Sequence, residues 1–273
     1  MLCEGCSIAT ITRHTGAAER TVLSLLVAAG EVSAAYLDAE LRGVAARRVQ
    51  ADEIWSFVYM KEKRVPTAWK GFPGLGDAWL WLAICTDTKL VINHHVGCRG
   101  GPSATAFIKD LAGRLKGRIQ LSTDGHRPYI DAVAAGFGYS SVDYAMIAKH
   151  AIVSEADNTE MVGYSVFGNP DPYFINTSYI ERYNLTVRMT DRRFTRKTNG
   201  FSKKLENHKH SIALHLLYYN FVRVHMTLGT TPAVAAGFSK RTWYYEDIVE
   251  LIDRRKAEAV KPSGLVRIER PRR

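Results

Sequence analysis

Three acids in this 273-residue sequence stand where a carboxylate needs a reason. Asp52 lies inside Val49-Gln50-Ala51-Asp52-Glu53-Ile54-Trp55-Ser56-Phe57-Val58-Tyr59, a run whose β-branched and aromatic content predicts a strand. Asp124 closes a short apolar strand running from Arg118 to Thr123, and Gly125 follows it. Glu181 falls in a helix that Thr177 or Ser178 would cap. Far apart in sequence, these acids can meet only through tertiary folding. Three carboxylates at one point repel one another and resist burial. Divalent cations remove that cost. Hard oxygen ligands suit Mg²⁺ or Mn²⁺, which keep waters and take further ligands from substrate phosphates. Two such ions about 3.5–4 Å apart can activate a water or a 3′-hydroxyl and stabilise the leaving oxygen of an in-line displacement. Taken singly, each acid also has an ordinary reading as a paired structural residue or a turn. The set gains meaning from the elements that would hold it. Glu53, next to Asp52 in a strand, is expected on the opposite face and outside such a site.

Residues 1–30 predict two helices around a turn. Ser7 would cap Ile8 to His14, Gly16 supplies the turn, and Val22, Leu25, Leu26 and Ala29 follow at helical spacing. That is the helix-turn-helix pattern, in which the second helix enters the major groove, so Arg20 and Ser24 would face DNA beside Ala18 and Glu19. A helical hairpin packed on the main body is the plainer reading. Residues 31–48 predict a helical connector. Strands are expected at 49–59, 78–86 and 90–97, the last two joined by Asp87-Thr88-Lys89, with a helix from Ser103 to Lys116. The strand ending at Asp124 follows, then a helix over 129–135 and a short strand over 141–144. Residues 150–175 show no period and predict an irregular insertion, and a long apolar helix is expected over 206–224. This order is that of a ribonuclease-H-like mixed sheet with flanking helices, filling 49–237 of an α/β chain, with a basic tail over 238–273. In such an order the first strand and the strand ending at Asp124 are neighbours.

Lys and Arg number 37 against 27 Asp and Glu, a net charge of +10 that points to a polyanionic partner. Much of the excess follows Glu181 directly: Arg188, Arg192, Arg193, Arg196, Lys197, Lys203 and Lys204 are candidate contacts to DNA phosphates. Asn184 and Arg188 share a helix face with Glu181 and could hold either a phosphate or a carboxylate. Four cysteines in a chain this long suit a reducing compartment, and Cys3-Glu4-Gly5-Cys6 has no second Cys or His pair to complete a zinc site. No leader pattern and no apolar run approaching ~18 residues occurs, so a cytoplasmic protein without a membrane partner is expected.

The sequence resembles the bacterial insertion-sequence DDE transposases. The resemblance is carried by Asp52-Glu53-Ile54-Trp55-Ser56-Phe57-Val58, Ser122-Thr123-Asp124-Gly125-His126, Thr177-Ser178-Tyr179-Ile180-Glu181-Arg182-Tyr183-Asn184-Leu185, Arg192-Arg193-Phe194-Thr195-Arg196 and Tyr218-Tyr219-Asn220-Phe221-Val222-Arg223-Val224-His225. These stretches, in order, span Leu2 to about Gly237. The resemblance implies that Asp52, Asp124 and Glu181 are a metal-binding catalytic triad using Mg²⁺ or Mn²⁺. It further implies nicking at transposon terminal inverted repeats, joining of the freed 3′-hydroxyl to target DNA, and a homo-oligomer on paired ends in the bacterial nucleoid. Members of that family often carry a zinc-ribbon-like segment ahead of the helix-turn-helix, where this chain opens on the helix-turn-helix itself. A DNA-binding regulator derived from a transposase, without catalysis, is the alternative.

Overall fold

A single mixed sheet forms because the chain supplies apolar strands in two kinds of company. The computed structural model describes residues 1–151 and 159–260. Strand β1 (Arg48–Val58) pairs antiparallel with β2 (Gly76–Cys85), which pairs antiparallel with β3 (Val91–Gly97). The β2–β3 turn places Lys89 at φ 59, and its amide closes the turn on the Cys85 carbonyl at 2.9 Å. Helix α3 (Gly101–Arg114) then leads to β4 (Ile119–Asp124), and α4 (Pro128–Phe137) to β5 (Val142–Ala151). Strand β4 runs parallel to both β1 and β5, as crossover helices require. The sheet order is β3-β2-β1-β4-β5-β6, with β6 (Thr159–Phe167) antiparallel on β5. This mixed α/β architecture with flanking helices is compatible with the order expected from the sequence.

Central strands β1, β2 and β4 are buried along most of their length, which explains their near-continuous apolar runs. Helices α3 and α4 pack together on one face, where Phe107, Ile108, Leu111, Tyr129 and Val133 are fully buried. The other face takes α5 (Ser178–Thr190) over β1 and β2, and α6 (Leu205–Leu217), which a π-turn over Tyr218–Val222 extends. A four-residue helix α7 (Pro232–Ala235) packs on that turn.

Several expectations change. The pair expected at residues 1–30 is α1 (Ile8–Thr15), capped by Ser7, and α2, which runs unbroken from Glu19 to Glu40. The boundary expected between 30 and 31 therefore falls inside a helix. Apolar residues continue at helical spacing through Val32 and Leu37, and Gly30 lets the His210 backbone of α6 approach closely. Helix α2 is long and apolar enough to cross a membrane, yet Val22, Leu26, Ala29 and Val32 are buried, and it packs along α6 and α8 (Tyr245–Val260). The segment expected as irregular, 150–175, contributes β6 to the sheet; its residues 152–158 lie outside the described ones. Part of the expected basic tail is helix α8, which lays Ile248 and Ile252 against α2; the remainder, 261–273, is outside the described residues.

Candidate metal centre

Parallel pairing of β1 with β4 sets the geometry. The register runs Val49 with Leu121, Gln50 with Ser122 and Ala51 with Thr123, and then β4 ends. Asp52 and Asp124 therefore stand level, one on each strand, where β1 outruns its neighbour. Carboxylate oxygens of Asp52, Asp124 and Glu53 all lie within 4.8 Å of one another. The meeting of Asp52 and Asp124 is the one expected. The presence of Glu53 is a correction. Its strand position does turn it toward the α3–α4 side, where Trp81 is its cross-strand partner. Past the end of β4, however, no further β4 strand walls it off, and its longer side chain reaches the same bay.

Each member has its own support. The Glu53 carboxylate is wholly buried, accepts from Arg99 Nε at 2.8 Å and from the Tyr129 hydroxyl at 3.2 Å. Burial, and after it the neighbouring Asp124, hold Glu53 above the ordinary carboxylate range. Arg99 in turn lies over the Trp79 ring, 4.6 Å from its centre. Asp124 Oδ1 accepts the His126 backbone N–H at 3.0 Å, an Asx-type closure of the turn. The His126 ring nitrogen Nε2 pairs with the Arg99 carbonyl at 3.0 Å, so this ring braces the turn. Asp52 Oδ1 accepts the Glu53 amide at 2.8 Å, and Oδ2 accepts Asn184 Nδ2 at 2.7 Å.

Helix α5 owes its place over β1 to Gln50, two residues before Asp52 and on the same strand face. Buried Gln50 presents Oε1 to the amides of Tyr179 and Ile180, at 2.9 and 3.0 Å, and donates Nε2 to Asn176 at 2.6 Å. Two otherwise orphaned N-terminal donors are thereby satisfied, the work a cap would do. Sequence reasoning missed Gln50; a polar residue inside an apolar strand, like Asp52, was the available signal.

Asn184 was a candidate DNA contact, and here the structure corrects that reading. Its side chain is 4% exposed and its amide is committed to Asp52. Arg193 is corrected too. Its guanidinium donates to Ser202 Oγ at 2.8 Å and Ser211 Oγ at 2.9 Å, beside buried Asp191, and ties the 192–204 segment to α6. A residue so engaged is not free for a phosphate. Glu181, by contrast, is exposed in the first turn of α5, with Oε1 accepting the Thr177 hydroxyl at 2.7 Å. It lies outside the three-acid group, though its charge still reaches Asp52. Arg188 and Arg192 are half-buried; Arg196, Lys197, Lys203 and Lys204 are exposed. Ser202 pairs with Val58 and Phe201 packs on Phe57, so this basic segment runs beside the free end of β1. Arg20 and Ser24 are exposed on α2, lining a groove that Lys204 and Asn207 complete.

Electrostatics mark Asp52. Burial, then Asp124 and Glu53, push its carboxyl up to about 7, and the Glu53 amide only partly offsets them. Three acids with one arginine between them are short of positive charge. The donor set is all oxygen, as Mg²⁺ or Mn²⁺ prefers, and the buried Asn184 Oδ1 beside it has no partner. A divalent cation fits both features. No family model matches the chain, and no curated protein matches it.

Proposed function

We propose that this chain is a DDE-type DNA transposase, built on a ribonuclease-H-like core, that cuts and joins DNA strands at Asp52 and Asp124. The observation that carries the reading is the level placement of these two acids on adjacent parallel strands, where β1 outruns β4. Asp52 and Asp124 would hold the metal, and Glu181, one turn into the helix over β1, is the third acid the resemblance implies. When bound, Mg²⁺ or Mn²⁺ supplies the charge that activates a water or 3′-hydroxyl and stabilises the leaving oxygen. The chain's own residues do the rest. Asn184 fixes the rotamer of Asp52, and Arg99 with Tyr129 holds Glu53. Arg188 and Arg196 stand close enough to affect each other, with the charge of Asp52 also reaching Arg188. They would grip phosphates next to the acids, and Lys197, Lys203 and Lys204 would extend that grip along the backbone. Arg20 and Ser24 on α2 would read the transposon end as a helix-turn-helix does.

The pairing of Glu181 with Thr177 favours a second reading, a DNA-binding regulator that has kept the fold without the chemistry. One assay separates the two. The protein is incubated with a duplex carrying the terminal inverted repeat that flanks its gene, with Mg²⁺ or Mn²⁺. A transposase nicks the 3′ end and joins it to a second duplex, and Asp52→Asn abolishes both while leaving binding intact. A regulator binds and never cuts. Cleavage that survives Asp52→Asn would refute the assignment of the acids.

A further inference from the structure

Helix α5 has two flanks, and only one faces the acids. Its buried stripe is Ile180, Tyr183, Asn184 and Val187. At 3.6 residues per turn, Glu181 and Arg188 lie to one side of that stripe, and Tyr179, Arg182 and Thr186 lie to the other. On this second flank a cavity of about 420 Å³ opens between α5, the β2–β3 turn and the segment around Tyr219 to Thr227. Its size is that of a ligand pocket.

The lining has one sign of charge. Arg182 and Arg223 stand exposed at the rim, and Lys89 lies with its ammonium 3.5 Å from the centre of the Tyr179 ring. Among the described residues lining the cavity there is no carboxylate. The Tyr183 hydroxyl, on a side chain only 2% exposed, has no hydrogen-bond partner, and neither has His225 Nδ1. Burial first, and then Lys89, Arg223 and Arg182, hold His225 below its ordinary value, so three cations bear on one ring. A buried hydroxyl without an acceptor is costly, and gathered cations repel. One anion relieves both. Tyr179 adds an aromatic face beside the cations, the pairing that suits a base next to its phosphate.

We propose that this cavity binds a nucleotide phosphate, held by Arg182, Arg223 and the Tyr183 hydroxyl, with the attached base against Tyr179. The phosphate belongs to a DNA strand or to a free nucleotide. The site shares no residue with the acid cluster and does not rest on the transposase reading.

Calorimetric titration of the intact chain tests it with four probes: inorganic phosphate, deoxyadenosine, deoxyadenosine 5′-monophosphate and a single-stranded hexanucleotide. At least one of the phosphate-bearing probes should bind, and deoxyadenosine should not. The exposed pair Arg182→Ala/Arg223→Ala should lose about a hundredfold in Kd, about tenfold per guanidinium. Tyr183→Phe keeps the ring and should weaken binding several-fold, whereas Asp52→Asn should leave it unchanged. If the monophosphate displaces the hexanucleotide, the pocket accepts a free nucleotide; if only the hexanucleotide binds, its ligand is the strand. The proposal is overturned if the double variant binds every probe as the parent does, or if deoxyadenosine binds as tightly as its phosphate. It is also overturned if Asp52→Asn abolishes binding, which would put the phosphate at the acids. Arginine-dependent binding in a protein that never cleaves DNA would refute the transposase reading alone.

Discussion

Replacing Asp52 by Asn should make the metal-free protein more stable, and the gain should depend on pH in a specified way. The folded carboxyl titrates near 7 against an ordinary value of 3.8. Between those values the folded chain keeps a proton that the unfolded chain has released. Stability therefore falls as pH rises through this window, by about 1.4 kcal/mol per pH unit. Below 3.8 both states are protonated and above 7 both are ionised, so the dependence stops at each end. The full cost of the charged form is about 4 kcal/mol, a large part of a typical folding stability. The carboxamide of the Asp52→Asn variant keeps the shape, removes the charge, and can offer an N–H to the unpartnered Asn184 Oδ1. Urea unfolding followed by circular dichroism, in EDTA, should show Asp52→Asn ahead of the parent by about 4 kcal/mol at pH 8 and by about half that at pH 5.5. Titrating groups remote from Asp52 cancel in the difference between the two proteins. Adding Mg²⁺ should shrink the lead at pH 8 to about 1 kcal/mol, since binding to the folded state at a hundred times Kd adds about 2.7 kcal/mol to the parent only. A variant less stable than its parent at pH 8, or a difference that ignores pH, would refute this account of the acid cluster.

Further outcomes follow from the same geometry. Asn184→Ala should lower Mn²⁺ affinity by about 10–100-fold, measured by calorimetry, because Asp52 loses the partner that orients it. Arg193→Met should cost about 3 kcal/mol in urea unfolding, since buried Asp191 loses its cation. Arg196→Ala should instead leave stability alone and reduce the slope of log affinity for DNA against log salt by about one. His208 and His215 are buried and pushed down to about 4, mainly by burial, so each opposes acid rather than base. The unfolded chain takes up their protons from pH 6.5 downward while the folded chain does not. Each should therefore remove about 2 kcal/mol between pH 7 and 5. Measured in the Asp52→Asn background, His208→Gln should reduce that drop by about this amount.

What the sequence discloses here depends on the range of the interaction. Strand β1 and strand β4 were legible because β-branched and aromatic runs are local, and Asp52 and Asp124 were legible because each interrupts or ends such a run. The neighbourhood of β1 and β4 then followed from topology. Contacts between residues far apart in sequence were not legible. Asn184 reaches Asp52 across 132 residues, and Gln50 caps α5 across 129 and 130. Glu53 was misplaced because strand alternation fixes where Cβ points, and a longer side chain at a strand end can bend around it. Arg193 reads as one of a row of cations; only the fold shows that Ser202, Ser211 and Asp191 surround it. Strand β6 carries Val162, Tyr164, Val166 and Phe167, but Gly163 inside it and Gly168 and Pro170 after it mask the run, and α8 hides its two buried isoleucines among charges.

The most direct test of the central claim is to locate the cation on the polypeptide. With Fe²⁺ in place of Mg²⁺, ascorbate and peroxide generate hydroxyl radicals at the metal, which cut the nearby backbone. The account predicts cuts clustered near Asp52 and Asp124, with a weaker set near Glu181, suppressed by excess Mg²⁺ and absent in Asp52→Asn and Asp124→Asn. Cuts elsewhere in the chain, or a pattern unchanged in those two variants, would contradict it.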